Sequence, residues 1–231
     1  MKNLMNLLSW RHAFRMAVLA MVAIMATLPA LGAESGYTAV ERRISDLKTF
    51  INDGNVVLFH NELMEFQGEA FSAGSARKVY AQFIFDVWEQ DTASHSDLNW
   101  QNAGKDEFRV SIAAVITLGI RDGWIDFNQE EINRYFRARL TVDNPHVSLM
   151  STLHLAVGGN DEDAMLFKEL SLSETELLAR RAIKALGMMC RPAGEELLKQ
   201  LASELPDSKR RALVIETLER YYGDGPALRC I

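Results

Sequence analysis

Arg180-Arg181-Ala182-Ile183-Lys184-Ala185-Leu186-Gly187 is followed, thirty residues on, by Arg210-Arg211-Ala212-Leu213-Val214-Ile215-Glu216-Thr217-Leu218. Both stretches place an arginine pair ahead of alanine and a run of aliphatic residues. Val115-Ile116-Thr117-Leu118-Gly119 carries the same small-residue ending, and Leu153-His154-Leu155-Ala156-Val157-Gly158 is a fainter copy. The glycines at 119, 158 and 187 stand 39 and 29 residues apart. Two antiparallel helices and their turns need roughly 30–45 residues, so this spacing fits a repeated helical hairpin.

The sequence around these stretches is helical throughout. Between Ser75 and Gln90 the apolar residues Val79, Tyr80, Phe83, Ile84, Val87 and Trp88 recur at helical spacing. Glu107–Ile120 carries Phe108, Ile112, Val115 and Gly119 on one side, widened by Ala113, Ile116 and Leu118. Further helices are expected at about 37–52, 56–67, 129–141, 146–157, 162–170, 173–190, 193–205 and 208–222. Asn128, Ser173 and Asp207 are placed to accept free amides of the first turn. Asp53-Gly54, Gly74, Asp122-Gly123, Asp143-Asn144-Pro145, Gly158-Gly159, Arg191-Pro192, Pro206 and Gly223 fall between the blocks as turns, and Asp91 to Asn102 reads as an exposed polar loop. No run alternates as a strand would.

The segment from Ser173 to Gly223 resembles a HEAT or armadillo-type repeat array. In that family an acidic or proline turn precedes a helix carrying Arg, Ala and an Ala-x-x-x-Leu-Gly ending. Asp143-Asn144-Pro145-His146-Val147 and Pro206-Asp207-Ser208-Lys209-Arg210 match the turn. The match extends over about 50 residues, continues faintly over another 70 or so, and is undetectable before about residue 100; its repeat lengths are irregular. The resemblance implies an all-α chain of antiparallel hairpins: an α-solenoid-like part over 101–231, packed on an N-terminal helical region over 34–100, the two forming one continuous domain. It also implies a binding scaffold without chemistry of its own.

Composition sets the compartment. Of 25 basic and 31 acidic side chains, only Lys2, Arg11 and Arg15 precede Glu34. An uncharged apolar run after Arg15 ends at Pro29-Ala30-Leu31-Gly32-Ala33. A basic start, a short apolar core and a small-residue site make residues 1–33 a secretory signal peptide. The run is 17 residues long and contains a proline, short of the 20 or so that span a bilayer. The expectation is an exported, periplasmic protein, not held in the membrane after cleavage. From residue 34 onward the net charge is −9, against −6 for the whole chain. That balance argues against a nucleic-acid partner, which requires clustered positive charge. Cys190 and Cys230, the only cysteines, are expected to pair in an oxidising compartment. The link would close a 40-residue loop, worth about 3–4 kcal/mol in the chain-entropy view.

Motifs for chemistry are sparse. Ser75-Ala76-Arg77-Lys78 and Ser45-Asp46-Leu47-Lys48 both fit Ser-x-x-Lys, but no companion element follows. His60, His95, His146 and His154 include no pair at the four-residue spacing of a zinc helix. On a helix His60 points away from Glu62, one turn from Glu65. Asp122, Asp126, Asn128 and Glu130 imitate part of a calcium loop without its glycine or closing glutamate. Asn160-Asp161-Glu162-Asp163 reads as a turn and a helix start. No cofactor site, metal site or catalytic residue is assigned. The basic clusters Arg134, Arg137 and Arg139, then Arg180, Arg181 and Lys184, then Lys209, Arg210 and Arg211, have acidic neighbours and read as faces with local ion pairs. Stacked repeats would align Arg180, Arg181, Lys184, Arg210 and Arg211 in a stripe facing an acidic protein partner. Aromatic residues concentrate between Phe59 and Trp100 as packing, and Phe85, off its helix's stripe, is placed against a second layer or solvent. The leading expectation is an exported scaffold that binds another protein. The alternatives are a carrier for a small apolar ligand or lipid in an inter-helix cavity, and an enzyme whose catalytic groups are scattered along the chain.

Overall fold

The computed structural model describes residues 36–68 and 74–223, and every regular element among them is an α-helix. In chain order these are α1 (Gly36–Asn52), α2 (Val56–Gly68), α3 (Gly74–Glu89), α4 (Trp100–Ala103), α5 (Asp106–Arg121), α6 (Gln129–Arg137), α7 (Pro145–Gly158), α8 (Asp161–Ser171), α9 (Glu176–Met188), α10 (Pro192–Glu204) and α11 (Ser208–Tyr221). Residues 1–33, Pro226 and Cys230 lie outside the described residues. Among those described, no helix is long and apolar enough to cross a membrane.

Local chemistry sets the helix starts. Pro145 and Pro192 open α7 and α10, where a missing amide hydrogen costs nothing. Asn128, Asn144, Asn160 and Asp207 each accept first-turn amides as N-caps. Ser173 departs from expectation. Its Oγ accepts the Thr175 amide at 3.2 Å, so it closes a turn ahead of α9, which begins only at Glu176. The polar loop 91–102 ends in the one-turn helix α4, nucleated by Asn99, whose side chain accepts the Asn102 amide. The helix expected over 129–141 stops at Arg137, where tighter bonds such as Arg139 N–H to the Phe136 carbonyl take over.

The helices pack in a repeat-like arrangement. α2, α5, α7, α9 and α11 lie side by side in that order. α8 and α10 pack against each other behind α9, and α6 lies against α5 and α7. α1 lies on α2 and α3, and α3 on α5. Polar contacts give the direction of the first layer. His60, early in α2, meets Ser111, early in α5, at 3.1 Å. Asn144, the cap of α7, donates to Glu107 at the start of α5 over 2.7 Å. Arg181 of α9 reaches Ser148 of α7 at 3.3 Å, and Arg210 of α11 reaches Glu176 of α9 at 2.9 Å. Early residues meet early residues each time, so these five helices run parallel and their N-termini line one edge.

The glycine endings have a packing cause. A Cβ at Gly119 would lie 2.6 Å from the Ile125 side chain, and one at Gly187 would lie 2.5 Å from both Thr217 and Tyr221. At Gly158 the Gln129 amide nitrogen would be 2.6 Å away. The last turns of α5, α7 and α9 therefore accept neighbours closer than any other residue permits. One buried apolar cluster runs from Val40 to Val214, with Phe59, Tyr80, Phe83, Phe108, Phe136 and Phe167 fully enclosed. Phe85 is half-buried and stacks on Phe127, with ring centroids 5.5 Å apart, so it does serve a second layer.

Candidate functional site

Three open grooves follow one another along the N-terminal edge of the parallel layer. The first, about 410 Å³, lies between α2, α5 and α7 and is lined by Val56, Val57, His60, Glu107, Asn144 and His146. The second, about 310 Å³, lies between α7 and α9, with Pro145, Ser148, Leu177, Leu178 and Arg181 in its walls. The third, about 160 Å³, lies between α9 and α11 and holds Glu176, Arg180, Lys209, Arg210 and Glu216. Large apolar side chains stand exposed on the same layer: Val57 at 68% exposure, Leu149, Leu177 at 57%, and Ile215.

The expected basic stripe is distributed over these grooves. Arg180 and Arg210 come together in the third, where Arg210 is tied to Glu176 and to the Ser173 carbonyl at 2.8 Å. Arg181 lines the second. Arg211 bonds the Leu205 and Pro206 carbonyls at 3.1 and 3.2 Å, closing the turn that leads into its own helix. Lys184 is exposed. In the other cluster Arg137 bridges Glu130 and the fully buried Asp163, and Arg139 pairs with Asp106 at 2.7 Å. Of these only Arg137–Glu130 is local to one helix, as the sequence implied; Asp163 and Asp106 come from 26 and 33 residues away.

The remaining candidates are drawn into structural roles. In the partial calcium pattern Asp122 is held by Arg121, Glu130 by Arg137, and Asn128 caps α6. Asn160 and Asp163 form a reciprocal capping box at α8. Lys48 pairs with Asp97 at 3.0 Å. Among the described residues no group of three or more His, Cys, Asp or Glu side chains has metal-holding geometry. Cys190 sits two residues past α9 in a left-handed conformation, φ 52°.

Histidine placement is the feature the sequence did not reveal. His60, His146 and His154 are separated by up to 94 residues, yet they form a seam between α2 and α7 against α5. The Ser111 oxygen lies 3.1 Å from His60 Nδ1 and 3.2 Å from the Glu107 carbonyl, so the hydroxyl bridges α2 and its own helix. The His60 and His146 rings meet edge to face, centroids 5.7 Å apart, and His154 stacks on Phe136. Burial, then the facing His146, lowers the pKa of His60. Burial, then His60 and Arg121, lowers that of His154 to about 4. His146 Nε2, Ser151 Oγ and His154 Nδ1 are buried without a hydrogen-bond partner. Ser111 is fully buried, so it orients His60 and cannot reach a substrate as a nucleophile. The one sequence signal for this seam is the two-turn spacing of His146 and His154.

A further groove of about 480 Å³ opens between α1 and α3. Ile44, Val79 and Phe83 line it, with Asp86 accepting from Gln82 at 2.6 Å and lying 2.9 Å from His95 Nε2. No family model matches this chain, and no curated protein and no solved structure matches it either.

Proposed function

We propose that this protein is an exported helical-repeat scaffold that binds another protein along the N-terminal edge of its parallel layer. The observation that carries the reading is the row of three grooves between α2 and α11, with exposed Val57 lining the first and exposed Leu177 the second. A partner segment would seat apolar side chains in the first two grooves. It would set acidic ones over Arg180 and Lys184 beside the third. Recognition through a few apolar anchors ringed by polar groups is the common anatomy of such interfaces. The parallel layer and the close-packing glycines at its helix ends support a HEAT-like reading. The basic and apolar start of the chain supports export. In that compartment Cys190 would pair with Cys230, and the bonded form would be two hydrogens lighter by mass than the reduced form.

The test is affinity capture from the native compartment with the wild type and with Leu177→Asp plus Arg180→Glu, both exposed positions. A discrete protein recovered with the wild type, and at least tenfold less with the variant at equal helical content, is the expected result. Equal recovery would refute the assignment to this edge.

The apolar lining of the α1/α3 groove favours a second reading, a carrier for a small apolar ligand. A fluorescent fatty acid that saturates at one site, and is lost with Val79→Asp, would point there instead.

A further inference from the structure

We propose that the histidine seam makes the α2 end of the binding edge proton-gated: neutral imidazoles hold α2 against α5 and α7, and proton uptake releases it. The inference rests on the binding edge only for its consequence, since the motion itself needs no partner. His60 is the side chain through which α2 hydrogen-bonds to α5, by way of Ser111. Beside that bond, the buried Phe59 ring of α2 meets Phe108 of α5 edge to face, centroids 5.1 Å apart, while Arg43 of α1 pairs with Glu62 and the Tyr80 hydroxyl of α3 donates to the Leu63 carbonyl.

A proton arriving at His60 makes both ring nitrogens donors, and Nδ1 then donates to the Ser111 oxygen 3.1 Å away. The cation then faces the His146 ring across the groove, and His146 Nε2 is buried with no other partner. Deeper on α7, a charged His154 would carry a buried Nδ1–H without an acceptor, which burial penalises. The surrounding charges do little to offset this. From α5, Glu107 lines the groove and keeps its charge while accepting from Asn144, and Arg121 adds positive charge near His154. From α1, Arg43 is engaged with Glu62; from α6, Phe136 presents its ring; from α9, Arg181 is directed at Ser148. A second proton in the seam therefore repels the first, with Glu107 the carboxylate lining the groove beside them. Releasing α2 hydrates both. The lowered pKa values of His60 and His154 agree with such a seam.

The experiment is hydrogen–deuterium exchange of the full chain at pH 7.5, 6.5 and 5.5, with exposure times scaled for intrinsic exchange. The expected result is that peptides covering Val56–Gly68 lose protection at least tenfold towards pH 5.5 while those covering α9 and α11 keep theirs. His60→Asn combined with His154→Phe should abolish the response. Unchanged α2 protection across this range would overturn the proposal, as would an equal loss in the double variant. If the double variant does not fold, the imidazole titrations of the wild type decide. His60 and His154 titrating below 6.5 in step with the loss of α2 protection supports the gate, and titration at or above 6.5 overturns it. Because no partner enters the readout, a failed gate leaves the binding edge untouched, and a failed capture leaves the gate untouched.

Discussion

Two buried side chains show how single residues set the molecule's tolerances. His154 is 9% exposed and stacks on Phe136, and its pKa falls to about 4, through burial first and then His60 and Arg121. In the unfolded chain the same ring titrates near 6.5. The fold therefore favours the neutral form. The stability this gives is complete above about pH 6.5 and is lost as pH falls towards 4, because the unfolded chain then binds the extra proton. The full difference is on the order of 3 kcal/mol. Urea midpoints should fall steadily between pH 7 and 4.5, and His154→Phe should flatten that dependence. Asp163 is the second case. It has no exposure and is held by Arg137 and by the Asn160 amide at 2.9 Å. Arg137→Ala would strand its carboxylate in the core. A loss of about 3–5 kcal/mol is expected, well above that of Arg134→Ala on the exposed side of the same helix.

At the scale of helices, the telling positions are the glycines that end them. In an isolated helix, glycine to alanine gains up to about 1 kcal/mol from propensity. Gly187→Ala should instead destabilise by about 1–3 kcal/mol, because the new methyl meets Thr217 and Tyr221 at 2.5 Å. Thermal melts of Gly187→Ala and Gly119→Ala check this, and a gain in either would mean the neighbouring element is not in close approach. These glycines, with the proline and Asn or Asp starts, are why the helix order could be read from the sequence: each is a local rule acting within one turn. The start of α9 was misplaced because a serine can satisfy a turn amide as well as a helix amide, and Ser173 does the former. The histidine seam lay beyond such reading. No local rule links His60 to His146, and only the stacking of α2, α5 and α7 brings them together. The basic stripe was partly legible: the thirty-residue repeat brings Arg180 and Arg210 into one groove, but Arg211 is turned onto the carbonyls ahead of its own helix.

For the whole molecule, the arrangement separates what is closed from what is offered. A single apolar cluster joins the helices from Val40 to Val214, while the edge formed by five parallel N-termini stays open and carries apolar side chains at its surface. This division suits the binding role proposed above, with a closed core behind one available face. The most direct measurement is site-specific photocrosslinking in the native cell. A photoreactive residue would replace Leu177 on the edge or, as control, Met165, which is 50% exposed on α8. The account predicts a discrete protein adduct from position 177 and none of that mass from position 165. The same adduct from both positions, or none from position 177, would contradict it.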